Sequence, residues 1–241
     1  MRTRSAAIGA AITGVLLLTA ACAPSPVPPV GWDQVFLTRD GADATTIDLD
    51  TGGALRVSAP ATNTAANSRT LFWPTAAPLS RDQLSCATTA HSGLPVQEGV
   101  GLRLARSKDG ASVRGITVQK NVAFGVDWIY NVHLWDTSRP GREGTVGSSI
   151  ALLAQFDLHE VVPGPANPEL PRRLCARVTG DLVELKVWTP DLPEPDWGDE
   201  LHTRSVQLPA GWGQPGRPGL YVGHVPAGGF VTYAELVQGA G

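Results

Sequence analysis

The chain has 241 residues, 19 Lys and Arg against 22 Asp and Glu, a formal net charge of −3, and 42% hydrophobic residues. With no basic excess it lacks the electrostatic footprint of a nucleic-acid binder. Its five histidines (His91, His133, His159, His202 and His224) have no metal-ligand spacing, and a Gly-x-Ser-x-Gly nucleophile elbow and a phosphate-cradling glycine loop are both missing. Zinc, serine-hydrolase and nucleotide readings therefore lack their signatures.

Arg2 and Arg4 precede an uncharged apolar run through Leu18, followed by Thr19, Ala20, Ala21 and Cys22. A charged start, a short apolar region and small residues before a cut site make a secretory signal. Small residues leading into a cysteine resemble the bacterial lipoprotein signal. That resemblance implies that Cys22 becomes a multiply acylated new N-terminus, which matters because a single acyl chain binds membranes only marginally. The alternative is an ordinary signal peptide cut nearby. Residues 1–21 are thus expected to be signal and residues 22–31 a lipidated cysteine with a stalk stiffened by Pro24, Pro26, Pro28 and Pro29. Residues 32–241 form a single β-sandwich domain on this reading. The protein would be exported and held by its lipid on the extracytoplasmic face of the cell membrane. Lipidation of Cys22 leaves Cys86 and Cys175 as a pair in an oxidising compartment, where a disulfide is expected; two buried free thiols are the alternative.

Short strand-like runs separated by Gly, Pro, Asn and Asp clusters fill the rest. Residues 45–50 and 54–58 flank a Thr51, Gly52, Gly53 hairpin. Runs at 69–73, 83–89, 100–106 and 112–120 follow, then a long strand at 125–136 and another at 149–158. Residues 174–179 and 182–188 make a hairpin around Gly180 and Asp181, and a proline-rich excursion at 190–197 precedes runs at 202–208, 219–225 and 230–237. No stretch carries a helical apolar period with caps, so the fold class is all-β, an antiparallel two-sheet sandwich. Asp48 and Asp50 ahead of Gly52 and Gly53 resemble the opening of an EF-hand loop, but Ala59 stands where a bidentate Glu is needed, and a hairpin is the better reading. Two groups of arginines, Arg103, Arg106 and Arg114, and Arg172, Arg173 and Arg177, read as solvated strand edges.

Leu-Cys-Ala-Arg-Val-Thr-Gly-Asp-Leu-Val-Glu-Leu-Lys-Val-Trp at 174–188, Pro-Glu-Pro-Asp-Trp at 193–197, Gly-Arg-Pro-Gly-Leu-Tyr at 216–221 and the closing strand at 230–236 resemble the C-terminal half of laminin-G-like domains. These belong to the concanavalin A-like lectin/glucanase superfamily. The resemblance implies a jelly roll whose concave sheet face often meets sugars, sometimes with calcium at the rim. Asp40, Asp43 and Asp50 are the residues that would supply such a calcium site; no cofactor is otherwise expected.

The strand at 125–136 places Val126, Trp128, Tyr130, Val132 and Leu134 on one face and Asp127, Ile129, Asn131, His133 and Trp135 on the other. The strand at 151–160 puts Gln155, Asp157 and His159 opposite Leu152, Ala154, Phe156 and Leu158. Were the two strands neighbours in the concave sheet, Asp127, Asn131, His133, Trp135, Gln155 and Asp157 would make a binding floor. Amides and carboxylates take paired hydroxyls, and an indole stacks on a sugar's C–H face. Gln155, Asp157 and Glu160 also resemble the Glu-x-Asp-x-x-Glu signature of retaining glucanases, with an amide where the nucleophile must be. Three readings stay open: a non-catalytic module for carbohydrate or another envelope polymer, a glycoside hydrolase of unrecognised motif, and a structural or protein-interaction envelope lipoprotein. The last predicts a concave face plugged by its own side chains.

Overall fold

The computed structural model describes residues 31–38, 45–49, 53–61, 68–93, 96–121, 128–139, 149–162 and 171–241. Cys22, the segment 22–30, Asp40, Asp43, Asp50 and Asp127 lie outside them. Among the described residues there is no helix. The strands are β1 (Trp32–Thr38), β2 (Thr46–Leu49), β3 (Leu55–Ser58), β4 (Arg69–Pro74), β5 (Gln83–Ser92), β6 (Gln97–Arg106) and β7 (Val113–Lys120). After them come β8 (Ile129–Asp136), β9 (Ile150–Asp157), β10 (Arg172–Thr179), β11 (Leu182–Trp188), β12 (Thr203–Gln207), β13 (Arg217–Gly223) and β14 (Phe230–Ala240).

They form two seven-stranded antiparallel sheets, ordered β1-β4-β13-β6-β7-β8-β9 and β12-β11-β10-β5-β14-β3-β2. The expected all-β sandwich is therefore the fold. Alternation along each strand sends Phe72, Val100, Ile116, Tyr130 and Val132 of the first sheet against Leu55, Ala87, Ala176, Leu185 and Tyr233 of the second. The expected hairpins of β2 with β3 and of β10 with β11 are present. Cys86 and Cys175 face each other across β5 and β10 and are bridged, closing a loop of sequence separation 89. The strand β1 has no counterpart in the sequence reading, because its apolar residues Val35, Phe36 and Leu37 run consecutively beyond the prolines of the stalk and show no alternation.

The arginine reading is corrected. β6, β7 and β10 are interior strands of their sheets, so their arginines are engaged by the protein instead of lying along open edges. Arg106 pairs with Asp33 at 2.9 Å, and Arg114 lies 4.0 Å over the Trp212 ring. Arg177 donates to Glu184 at 2.6 Å, and Arg173 lies 3.6 Å from Glu235. Arg172 and Arg103 are buried.

Arg103 sits in a bulge, where the β6–β7 register shifts between Leu102 and Ala105 and the backbone adopts φ 51°. A left-handed conformation costs a non-glycine residue about 1–2 kcal/mol, and here several hydrogen bonds offset it. The Arg103 N–H donates to Gln83 Oε1 at 2.6 Å, Nε to the Arg81 carbonyl at 2.8 Å, Nη1 to the Trp212 carbonyl at 2.7 Å, and Nη2 to the Gly180 carbonyl. The same bulge turns Leu104 to the outer side of the first sheet. There its methyl groups occupy the space where Cβ atoms on Gly101, Gly115 and Gly219 would stand, at 2.6, 2.5 and 2.6 Å. Three glycines on three adjacent strands make one pit, and one leucine fills it. Leu104→Ala should therefore cost about 2–5 kcal/mol in urea unfolding, as emptying a fully buried leucine site does. A loss below about 0.5 kcal/mol would show that the pit collapses around the smaller side chain.

Candidate functional site

The central strands of the first sheet lay out three rows across its outer face. Gln119, Asn131 and Gln155 are cross-strand partners on β7, β8 and β9. Beside them run Thr117, His133 and Leu152, then Gly115, Trp135 and Ile150. Polarity thus falls row by row, from an amide ladder to an apolar floor. β8 and β9 are neighbours, as the sequence reading required, and Tyr130, Val132 and Leu134 face the core while Asn131, His133 and Trp135 face outward.

The apolar end is closed. Trp135 is only 1% exposed and packs in a cluster with Leu71, Trp73, Leu104, Val113 and Tyr221, its ring centroid 5.8 Å from that of Tyr221. Its indole N–H donates to Thr117 Oγ1 at 2.8 Å, and the Thr117 hydroxyl donates in turn to Gln119 Oε1. The expectation of Trp135 as an open stacking platform is corrected: the leucine-filled glycine pit and Tyr221 take the contacts a sugar ring would need.

The polar end opens toward β9, an edge strand. Gln155 is exposed and its Nε2 donates to Asn131 Oδ1 at 3.0 Å, which fixes the amide and leaves Gln155 Oε1 directed away from that bond. A register shift between Val132 and His133 inserts Leu153 as an extra residue in β9. This corrects the face assigned to Leu152: below the bulge the alternation inverts, and Leu152 lies beside His133 on the outer face, 45% exposed. An apolar side chain thus stands in front of the polar floor where the indole had been expected.

His133 is 7% exposed, and its Nδ1 has no hydrogen-bond partner. A buried, unpaired polar atom costs free energy unless a ligand or water meets it. Desolvation, with the charge of Arg69 second, lowers the imidazole pKa from 6.5 to about 4, so at neutral pH the ring is an uncharged hydrogen-bonding group. Asp157, at the exposed end of β9, accepts from the His159 N–H and pairs with His159 Nδ1, both at 2.9 Å. These bonds hold its carboxyl below the usual range, the direction opposite to the one a general acid needs. Among the described residues no group of three or more His, Cys, Asp or Glu side chains is placed to hold a metal ion.

The sequence reading did not single out Thr117 and Gln119, although Gly115, Thr117 and Gln119 alternate against Ile116 and Val118 in β7 and that period was available. Nor did it foresee the buried ionic group on the inner face at the same end. There Lys120 Nζ lies 2.7 Å from Glu98 and 2.9 Å from His91 Nε2, with the His91 Nδ1–H donating to the Gly93 carbonyl at 3.0 Å. Buried charges of this kind are tolerated because they are paired and hydrogen-bonded.

His133 gives the fold a pH dependence of known sign. The unfolded chain protonates this imidazole below its ordinary 6.5, whereas the folded chain does so only near 4. Its contribution is therefore fully present above pH 6.5 and is lost as pH falls toward 4, by roughly 3 kcal/mol at the full shift. Urea unfolding of wild type should weaken over this window by about one proton more than that of His133→Gln; parallel profiles for the two proteins would contradict the assignment.

No family model matches the chain, and no curated protein sequence matches it. Among solved structures, the chain is similar to the carbohydrate-binding module CBM66 from Bacillus subtilis, at 9% identity over 87% of this chain and 96% of that one, with a TM-score of 0.53. It is also similar to a protein of unknown function with a galectin-like fold from Bacillus subtilis, at 10% identity over 87% and 89% of the two chains, with a TM-score of 0.50. At such identities the likeness is one of fold alone, an antiparallel two-sheet jelly-roll sandwich.

Proposed function

We propose that the chain is an exported lipoprotein, anchored at Cys22 and carried on the stalk at 22–31, whose single domain at 32–241 binds a carbohydrate or another envelope polymer without acting on it chemically. The observation that carries the binding reading is the polar end of the first sheet's outer face. An oriented amide pair, Gln155 on Asn131, stands beside the unpartnered His133 Nδ1 and the exposed Leu152. Sugars offer the complement of such a surface, hydroxyls in pairs next to an apolar C–H face. A carbohydrate-binding module has a similar fold, which supports the reading only in general terms, since folds host many functions. Gln155 at the nucleophile position and the lowered carboxyl of Asp157 favour binding over hydrolysis. The plugged apolar end around Trp135 favours a second reading, a structural or protein-interaction lipoprotein using its loops.

Binding of the purified chain to a panel of bacterial and plant polysaccharides, with hydrolysis products assayed in the same wells, separates these readings. Binding without products is expected, weakened about tenfold by Leu152→Ala combined with Gln155→Ala; full affinity in that variant would remove the site, and products would restore the hydrolase. The anchor has its own test. Cys22→Ser should release the chain from the membrane fraction and abolish palmitate labelling, whereas unchanged fractionation would contradict lipidation.

A further inference from the structure

The excursion between β11 and β12 lies across the outer face of the second sheet and is pinned there by one cation. Lys186, on β11, is 3% exposed; its Nζ lies 2.6 Å from Glu194 Oε1 and donates to the Pro195 carbonyl at 2.7 Å. The same ammonium is 4.6 Å from the Trp197 ring centroid and 5.3 Å from that of Trp188. Arg177, on β10, places its guanidinium 4.2 Å from the Trp197 centroid, and Trp197 also packs on the cluster of Cys86, Cys175 and Trp188. Both cations and the disulfide rise from the sheet, so the indole is seated on it. Its remaining surface lines an open cleft of about 620 Å³ with Phe156, Glu184, Glu200, Arg204 and Ser205. The cleft marks the seam where the edge strands of the two sheets meet: Phe156 comes from β9, Ser205 from β12, and Arg204 Nη2 donates to the Asp157 carbonyl at 3.4 Å.

We propose that this cleft is a second carbohydrate site, taking a neutral hexopyranose unit of an extended chain with Trp197 as its stacking floor. An indole already immobilised on two cations loses little freedom when a sugar ring lies against it. The charges select a neutral ligand. Asp199 and Glu200 line the cleft beside Glu184, which Arg177 holds at 2.6 Å, and these carboxylates oppose uronates and phosphates. Arg204, the cation lining the cleft, has its Nη1 donors turned to the carbonyls of Glu200 at 2.6 Å and Thr203 at 2.9 Å. Cationic ligands are disfavoured because Arg177 and Lys186 already draw on the π-density of the ring. What remains is a polyol whose hydroxyls donate to the Glu200 and Glu184 carboxylates and exchange hydrogen bonds with Ser205. The site shares no residue with the polar rows on the outer face of the first sheet. Phe156, however, follows Gln155 directly, so a chain passing around the β9 edge meets both sites.

The test uses the full chain, cellohexaose and mannohexaose as neutral probes and hexagalacturonate as the acidic one. The Trp197 indole N–H resonance is identified by its disappearance in Trp197→Phe. A neutral hexasaccharide should shift this resonance in wild type and also in Gln155→Ala, and Trp197→Ala should lower affinity about tenfold. Because Trp197→Ala also removes a contact of the excursion, Ser205→Trp, which fills the cleft from an exposed strand position, should abolish the shift independently. The proposal is overturned if neither neutral probe moves the Trp197 resonance, or if hexagalacturonate moves it more strongly than they do. Binding that is lost in Gln155→Ala while the Trp197 signal never moves would also overturn it and leave the proposed site around Gln155 standing.

Discussion

The bulge in β6 sets the terms for both faces of the first sheet. By holding Arg103 in the left-handed region, it aims one side chain at the carbonyls of Arg81, Gly180 and Trp212, which belong to three separate turns and loops. The next residue, Leu104, goes the other way and closes the pit over Gly101, Gly115 and Gly219. Unbroken alternation from the core-facing Leu102 would send Arg103 outward and Leu104 inward, and neither would reach its partners. The guanidinium ties together the segments at one end of the sandwich, and the leucine decides that the apolar end of the outer face is buried.

The polar end follows by subtraction. With Trp135 committed to Tyr221 and Thr117, the hydrogen-bonding capacity left near the β9 edge belongs to Gln155, and to His133 through its unpaired Nδ1. A second bulge, at Leu153, brings Leu152 into the open beside them. The sheet edge therefore combines amide, imidazole and apolar groups, while burial keeps the imidazole uncharged near neutrality. On the opposite sheet Trp197 is held by Arg177 and Lys186, 4.2 and 4.6 Å from its ring centroid. In both places an uncharged side chain is held in position by its neighbours, Gln155 by Asn131 and Trp197 by two cations.

Much of this was legible in the sequence because alternation is a local property. It placed Asn131, His133 and Trp135 opposite Tyr130, Val132 and Leu134, and the compartment argument paired Cys86 with Cys175; the structure has both. The bulges were not legible. Neither Arg103 nor Leu153 is a glycine or otherwise marked, and each is specified by partners far away in the chain, Gln83 and Trp212 for Arg103. One inserted residue reverses every face assignment beyond it, which is why Leu152 changed sides. Burial of Trp135 was illegible for the same reason, since what fills the space over it comes from β4, β6 and β13. Asp127, placed on the outward face by the same alternation, lies outside the described residues.

The central claim is that ligand meets the amide and imidazole rows and leaves the indole of Trp135 untouched. Nitrogen chemical shifts of the His133 imidazole, followed while a bound polysaccharide fragment is titrated in at neutral pH, test it most directly. The account predicts that the Nδ1 resonance moves as this unpaired atom gains a hydrogen bond, while the Trp135 indole N–H stays fixed on Thr117. Movement of the Trp135 resonance with His133 unchanged would contradict it.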